Sequence, residues 1–252
     1  MKDSSQTRTV NEAWLTPAFQ KGISQLGMTL SGKQIRQFQV YERELESWNR
    51  RFNLTRITGR ERIQTFHFLD SLTSVLAFPS GIRAAMRAID LGAGAGFPGI
   101  PLKIALPRLC LTLVESVGKK VAFLQHLLDA LDLPDVQLCH CRSEALAHQP
   151  EFRGAFDVAL ARGLAPMRIL AELALPFCKP HGLLVAHKKG NVDQELDDAR
   201  NAIQLLGGRL SAVLPVHVAG LEDNRLLVTV KKAAPIPARY PRRPGIPQKR
   251  PL

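Results

Sequence analysis

The sequence predicts an α/β protein: a central, mostly parallel sheet covered by helices, a closing antiparallel hairpin and an N-terminal helical extension. Three observations predict it. From Met86 onward, short β-rich runs alternate five times with helical stretches. Two further strand-like runs then follow each other with only residues 219–224 between them, too few for a crossover helix. Before Met86 the apolar period is helical.

In the extension, Ser31 and Gln34 have capping-box spacing, followed by Ile35, Phe38, Tyr41, Leu45, Trp48 and Phe52 at steps of three and four. That spacing predicts an amphipathic helix. Thr58 and Glu61 suggest a second box opening a helix to about Ala77, with Pro79 and Gly81 ending it. The five strand runs are 87–91, 109–115, 136–141, 156–161 and 182–187, with helical stretches such as 119–131, 166–177 and 192–206. Runs 209–218 and 225–231 form the expected hairpin. Beyond Lys232 come six prolines and no helical period, so this segment is expected to be extended, ordered by docking on the protein or on a ligand. The expected units are a helical extension over 1–80, a catalytic domain over 81–232 and a basic Pro-rich tail over 233–252.

Charge is unevenly divided. Residues 1–89 hold 13 Lys and Arg against 7 Asp and Glu, residues 90–230 hold 14 against 15, and residues 231–252 hold 7 against none. A near-neutral middle between basic flanks suggests a ligand-binding core with a polyanion-binding periphery, and the tail points to nucleic acid. No apolar run approaches the ~20 residues of a membrane helix. The four cysteines stand in strand-like or helical contexts and the chain opens on polar residues, so a reduced, cytosolic protein is expected. Cys139-His140-Cys141 has no second ligand pair after it and alternates across a strand, so no metal is expected.

Between the first strand and first helix lies Asp90-Leu-Gly-Ala-Gly-Ala-Gly-Phe-Pro-Gly99, and Glu115 ends the second strand. Glycines at 92, 94 and 96 let the backbone turn sharply and approach a ligand. A carboxylate at the tip of the second strand can accept both hydroxyls of a ribose. The site reads as nucleoside-binding. Although Gly94, Gly96 and Gly99 satisfy the dinucleotide pattern, Pro98 and Pro101 remove two amides from the helix start where a pyrophosphate would sit. Asp90 adds negative charge suited to a cationic ligand. Both points favour S-adenosylmethionine over NAD.

The segment Asp90 to Leu102, with Trp48-Asn49, Asn53-Leu54-Thr55, His67, Asp70-Ser71-Leu72, Glu115-Ser116, Lys119-Lys120, Phe123-Leu124, Arg162 and the Tyr240-Pro-Arg-Arg243…Pro251-Leu252 ending, closely resembles the bacterial ribosomal RNA small-subunit methyltransferase G (glucose-inhibited division protein B) family over nearly the whole chain. The resemblance implies a Rossmann-like class I methyltransferase that methylates N7 of one guanine in 16S rRNA, as a monomer acting on that RNA or on the small ribosomal subunit. It implies cofactor contacts at Gly92, Phe97, Ser143, Glu144 and Arg162, beside Asp90, Gly94, Gly96 and Glu115 from the loop reading. It implies an RNA contact at Lys188 or Lys189, and the tail's charge adds Arg242 and Arg243; His67 is expected first in a hydrogen bond that ties the extension to the core, and second at RNA. Two departures stand out: His187-Lys188-Lys189-Gly190, where a single Lys is usual, and Gly163, where Ala is usual.

Absent motifs narrow the chemistry. After the fourth strand run the chain reads Leu160-Ala161-Arg162-Gly163, with neither the Asn/Asp-Pro-Pro-aromatic loop of exocyclic-amine methylation nor the carboxylate of ribose transfer. Carbon-5 transfer needs a thiolate, and Cys178 reads as core. Guanine N7 carries no proton and needs no base, so Arg162 is expected to position substrate. His67, Asp70 and Ser71 share one helix face but lack the nucleophile elbow and oxyanion hole of a hydrolase. The competing readings are an NAD-dependent oxidoreductase and a non-catalytic ribosome-binding protein.

Overall fold

The computed structural model describes residues 13–78 and 86–252. The break expected at Pro79 and Gly81, and with it the 80/81 boundary, lies outside the described residues. Seven strands, β1 (Arg87–Leu91), β2 (Cys110–Glu115), β3 (Gln137–His140), β4 (Phe156–Arg162), β5 (Cys178–Lys189), β6 (Gly208–Pro215) and β7 (Arg225–Lys232), form one sheet in the order β3-β2-β1-β4-β5-β7-β6. The first five are parallel. β7 runs antiparallel between β5 and β6, closing the sheet with the expected hairpin. β5 starts at Cys178, ahead of the predicted 182, because its pairing with β4 shifts register between Phe156 and Val158.

Strand alternation sends Ala88 to one face of the sheet and Ile89 and Leu91 to the other, and each face has its own apolar core. The first core joins α1 (Pro17–Gln25), α2 (Gly32–Phe52) and the composite helix α3 (60–77), through Phe19, Phe38, Tyr41 and Phe68, to Leu111, Leu113 and Leu160 of the sheet. The same layer holds α4 (Gly99–Ala105) and α5 (Gly118–Ala130). The second core packs α7 (Met167–Ala174) and α8 (Asp193–Leu205), with the tail residue Tyr240, under the opposite face. A short α6 (Ser143–Leu146) follows β3. No described helix is long and apolar enough to cross a membrane.

Ser31 caps α2 as expected, and both halves of its box with Gln34 are formed. The second box is not. Gly59, at φ 83°, takes the N-cap position, which leaves Thr58 one residue outside. α3 then runs as an α-turn (Arg60–Ile63), a π-turn (Gln64–Leu69), a further α-turn (Asp70–Leu72) and a 3-10 end (Thr73–Ala77). The wide π-turn accompanies a broadened inner face, and Gln64, His67, Asp70, Ser71 and Ser74 are all buried.

The tail docks on the protein. Arg153 donates to the Tyr240 carbonyl at 2.9 Å, and the Arg242 guanidinium forks onto the Glu172 carboxylate at 2.9 and 2.6 Å. Its last turn is α9 (Ile246–Lys249). Arg242, expected at RNA, is thus committed to a carboxylate that is 1% exposed, because leaving Glu172 unpaired in that interior would cost far more than the pair. Arg243 is exposed.

Candidate active site

The chain order reverses between β1 and β4, which opens a crevice outside the carboxyl ends of the parallel strands. Gly92, Ser116, Cys141, Ser143, Glu144 and Leu164 are among its lining residues. A larger cavity of about 480 Å³ lies at the opposite end of the strands, around Gly154, Cys178 and Lys232. It has no glycine loop and no carboxyl end of a parallel strand, and burial pushes the Cys178 thiol up to about 12, so the crevice is the stronger site.

The loop after β1 keeps Gly92, Gly94 and Gly96 at φ 64°, 62° and 95°, a region that L side chains rarely adopt. A Cβ on Gly96 would also stand 2.6 Å from the Tyr41 hydroxyl. Its amides are used internally. Gly96 and Phe97 donate to the Ala93 carbonyl, Ile100 donates to that of Gly96, and Gly99 donates to Asp90. A pyrophosphate would find these donors taken and Pro98 with none. Glu115 accepts Ser116 and Val117 amides on Oε1 and the Gly94 amide on Oε2. A carboxylate has about four acceptor positions, so a further acceptor site remains on Oε2 for a hydroxyl.

Asp90 was expected at the cofactor. It is fully buried in β1 beside the start of α4, where Oδ2 accepts the Gly99 amide at 2.8 Å and Oδ1 has no partner among the described residues. Its side chain lies on the sheet face of Ala88 and, through Gly99, holds the glycine loop. Burial, reinforced by Glu115 and only partly offset by Gly99 and Arg162, pushes its carboxyl up to about 7. The folded chain therefore keeps a proton that the unfolded chain releases near pH 4, and this group costs stability as pH rises from about 4 to about 7. The expected result is that Asp90→Asn gains on the wild type by about 1.4 kcal/mol per pH unit between pH 5 and 7. Urea denaturation of both proteins across that interval measures the difference, and parallel curves would contradict the buried proton.

The extension grips the same loop. The Tyr41 hydroxyl donates to the Ala95 carbonyl at 2.5 Å, and the Phe97 ring stacks on Tyr41 (centroids 5.2 Å apart, 9°) and on His67 (4.2 Å, 6°). The Arg162 guanidinium lies 4.7 Å over the Phe97 ring. Asn49 accepts the Thr55 amide and donates to its carbonyl, and the Thr55 hydroxyl meets His67 Nε2 at 2.8 Å. Burial, and then the charge of Arg162, lower the imidazole to about 3. His67 is therefore neutral, with Nδ1 accepting from Arg162 Nη2 at 2.9 Å. Both ring nitrogens are engaged inside the protein, and the bond to Arg162 is the expected tie between the extension and the core. Ser71 donates to its own helix at the His67 carbonyl, 2.6 Å away, so it is no nucleophile.

Arg162 donates Nη1 to Asp70 at 2.8 Å and to the Phe66 carbonyl at 3.2 Å. Among the described residues its contacts are thus to the extension and the loop, whereas the sequence places it at the cofactor and as the residue that positions substrate. Of the paired lysines, Lys188 reaches Glu195 at 2.5 Å and the Ala165 carbonyl at 2.9 Å, whereas Lys189 is 63% exposed and pairs with Asp223. The structure turns Lys188 inward and leaves Lys189 at the surface. Of the residues expected at the cofactor, Gly92, Ser143 and Glu144 line the crevice, and Gly94, Gly96, Phe97 and Glu115 build the loop beside it. Sequence reasoning missed Tyr41, which read as one more apolar helix position. The signal available was its hydroxyl, which needs a partner when buried.

The family model for rRNA small subunit methyltransferase G matches residues 34–226. A ribosomal RNA small subunit methyltransferase G from Roseiflexus castenholzii is 48% identical over 226 residues, 90% of this chain and 95% of that relative. One from Bacillus cytotoxicus is 38% identical over 234 residues, 93% and 97% of the two chains. Among solved structures, a mutant of MtNAS in complex with S-adenosylmethionine superposes with a TM-score of 0.52 at 16% identity, covering 78% of this chain and 73% of its own, which bears on the fold alone. With the family model spanning most of the sheet and the extension, and relatives aligned almost end to end, the chain belongs to the rRNA small subunit methyltransferase G family.

Proposed function

We propose that this chain transfers the methyl group of S-adenosylmethionine to N7 of a guanine in 16S rRNA. When bound, the cofactor supplies a methyl group on a sulfonium; the protein's part is to hold and align. One observation carries the choice of N7: among the described residues, no uncommitted base stands at the end of β4, where His187, in register with Arg162, is itself bonded to Ser74 and faces Asp70. Arg162 cannot serve as a base, and the nearby His67 and Asp70 are buried and committed to it. Asp157 lies at the opposite end of the strand, bonded to the Arg87 amide and paired with Lys179. An exocyclic amine or a ribose hydroxyl would need such a group, whereas guanine N7 offers a bare in-plane lone pair. Alignment at roughly 3 Å then supplies most of the rate.

In this reading Glu115 holds a ribose hydroxyl on the free position of Oε2, the glycine loop carries the amino-acid end, and Ser143 and Glu144 stand at the base. Exposed Lys189 and Arg243 face the RNA, and Arg162 aligns the loop through Phe97. The loop's occupied amides set the cofactor apart from NAD. Calorimetric titration with S-adenosylhomocysteine and with NADH tests this: the first binds and the second does not. Glu115→Ala weakens the first by about 1–3 kcal/mol, because a ribose hydroxyl loses a charged acceptor. NADH binding, or an unchanged Glu115→Ala titration, would overturn the assignment.

A further inference from the structure

The tail does more than dock. Arg242 donates its backbone amide and its guanidinium to Glu172 on α7. The Pro241 carbonyl meets His148 Nε2 at 2.8 Å. Three residues past this double anchor, the Gly245 amide donates to Glu144 Oε1 at 3.0 Å, and α9 then brings Gln248 to the crevice lining. Glu144 is thereby shared between the tail and the crevice. The Gln248 side chain is exposed and bonds to no other described residue, so its amide is uncommitted at the crevice mouth.

The lining around it divides by chemistry. Val114, Cys141 and Leu164 are apolar, while Ser143, Glu144 and Gln248 are polar. Apolar sides with a polar margin suit a purine, whose faces are apolar and whose edge both donates and accepts. An amide has both capacities. The crevice encloses about 50 Å³, against the ~300 Å³ or more of a typical ligand site, and a Cβ on Gly92 would stand 2.6 Å from a Leu164 methyl. Leu164 and the Gln248 side chain are the movable parts of this wall; Arg242 and Glu172 keep the tail backbone in place while they shift.

We propose that Gln248, delivered by the anchored tail, is a binding residue for the adenine end of S-adenosylmethionine, so that the C-terminal segment is part of the cofactor site. This rests on the function proposed above. It also replaces the expectation that the tail serves RNA alone.

Calorimetric titration of S-adenosylhomocysteine into the full-length wild type and the full-length Gln248→Ala protein tests it, with steady-state kinetics and melting temperature on both. The expected result is a five- to tenfold rise in Kd for S-adenosylhomocysteine and in KM for S-adenosylmethionine. KM for the RNA and the melting temperature stay at wild-type values. Wild-type binding with a Gln248→Ala Kd within twofold of it would overturn the tail's part alone, as would a loss shared with the RNA KM and the melting temperature. A wild type that does not bind S-adenosylhomocysteine would sink the proposed function and this inference with it.

Discussion

Replacing Asp70 with asparagine is expected to lower the unfolding free energy by about 3–5 kcal/mol, the cost of removing one partner from a buried ionic cluster. Asp70, 3% exposed, takes Arg162 Nη1 on Oδ2 at 2.8 Å and Arg225 Nη1 on Oδ1 at 2.7 Å, with His187 Nδ1 3.7 Å away. Those groups come from β4, β7 and β5, so one carboxylate on α3 ties the extension to three strands. Asparagine keeps the volume and removes the charge, and two guanidinium groups are left facing each other in a poorly solvated site. Burial by itself would raise the Asp70 carboxyl, but His187, Arg162 and Arg225 outweigh it and hold the group well below the usual carboxylate range. The stabilisation is therefore complete above the unfolded value of about 3.9 and is lost as pH falls below it. His67, held neutral, adds to the loss in acid, from about 6.5 downward. Urea denaturation at pH 7 and pH 4 measures the cost, and a loss below about 1 kcal/mol at pH 7 would show that the cluster is solvated in practice.

Phe97→Ala is expected to cost about 3–5 kcal/mol of stability and, separately, to weaken S-adenosylhomocysteine binding by more than about tenfold, or 1.4 kcal/mol. The ring is the one piece of the glycine loop touched by Tyr41, His67 and Arg162 together. Without it the loop keeps its internal hydrogen bonds and the Tyr41 bond to Ala95 but loses its ring stack on the extension. Thermal melts and calorimetry on the same protein separate the two effects. Intact cofactor affinity in a destabilised variant would mean that the loop is preorganised without the extension.

The parts legible in the sequence were those with local signatures. Alternating β and helical periods place the five parallel strands, residues 219–224 are too few for a crossover, and Ser31 with Gln34 marks the start of α2. Glu115 was legible because it ends the strand next to the glycine loop. What escaped depends on distant partners. The Arg242 contact lies 70 residues upstream at Glu172, with no local trace of the pairing. His67 and Asp70 share a helix face, which predicts a hydrogen bond tying the extension to the core, but their partners Arg162 and Arg225 on distant strands leave no local trace. For Asp90 the charge suggested a cationic ligand, whereas its burial against Gly99 depends on how α4 packs on β1. Tyr41 hid within an apolar stripe.

The most direct measurement is a single-turnover transfer of labelled methyl from S-adenosylmethionine to 16S rRNA, followed by mapping of the modified position. The account predicts label at N7 of one guanine, with a rate at saturating cofactor and RNA that is nearly flat from pH 6 to 9. Label on an exocyclic amine or a ribose hydroxyl, or a rate rising tenfold per pH unit, would mean that a proton leaves before transfer and would contradict it.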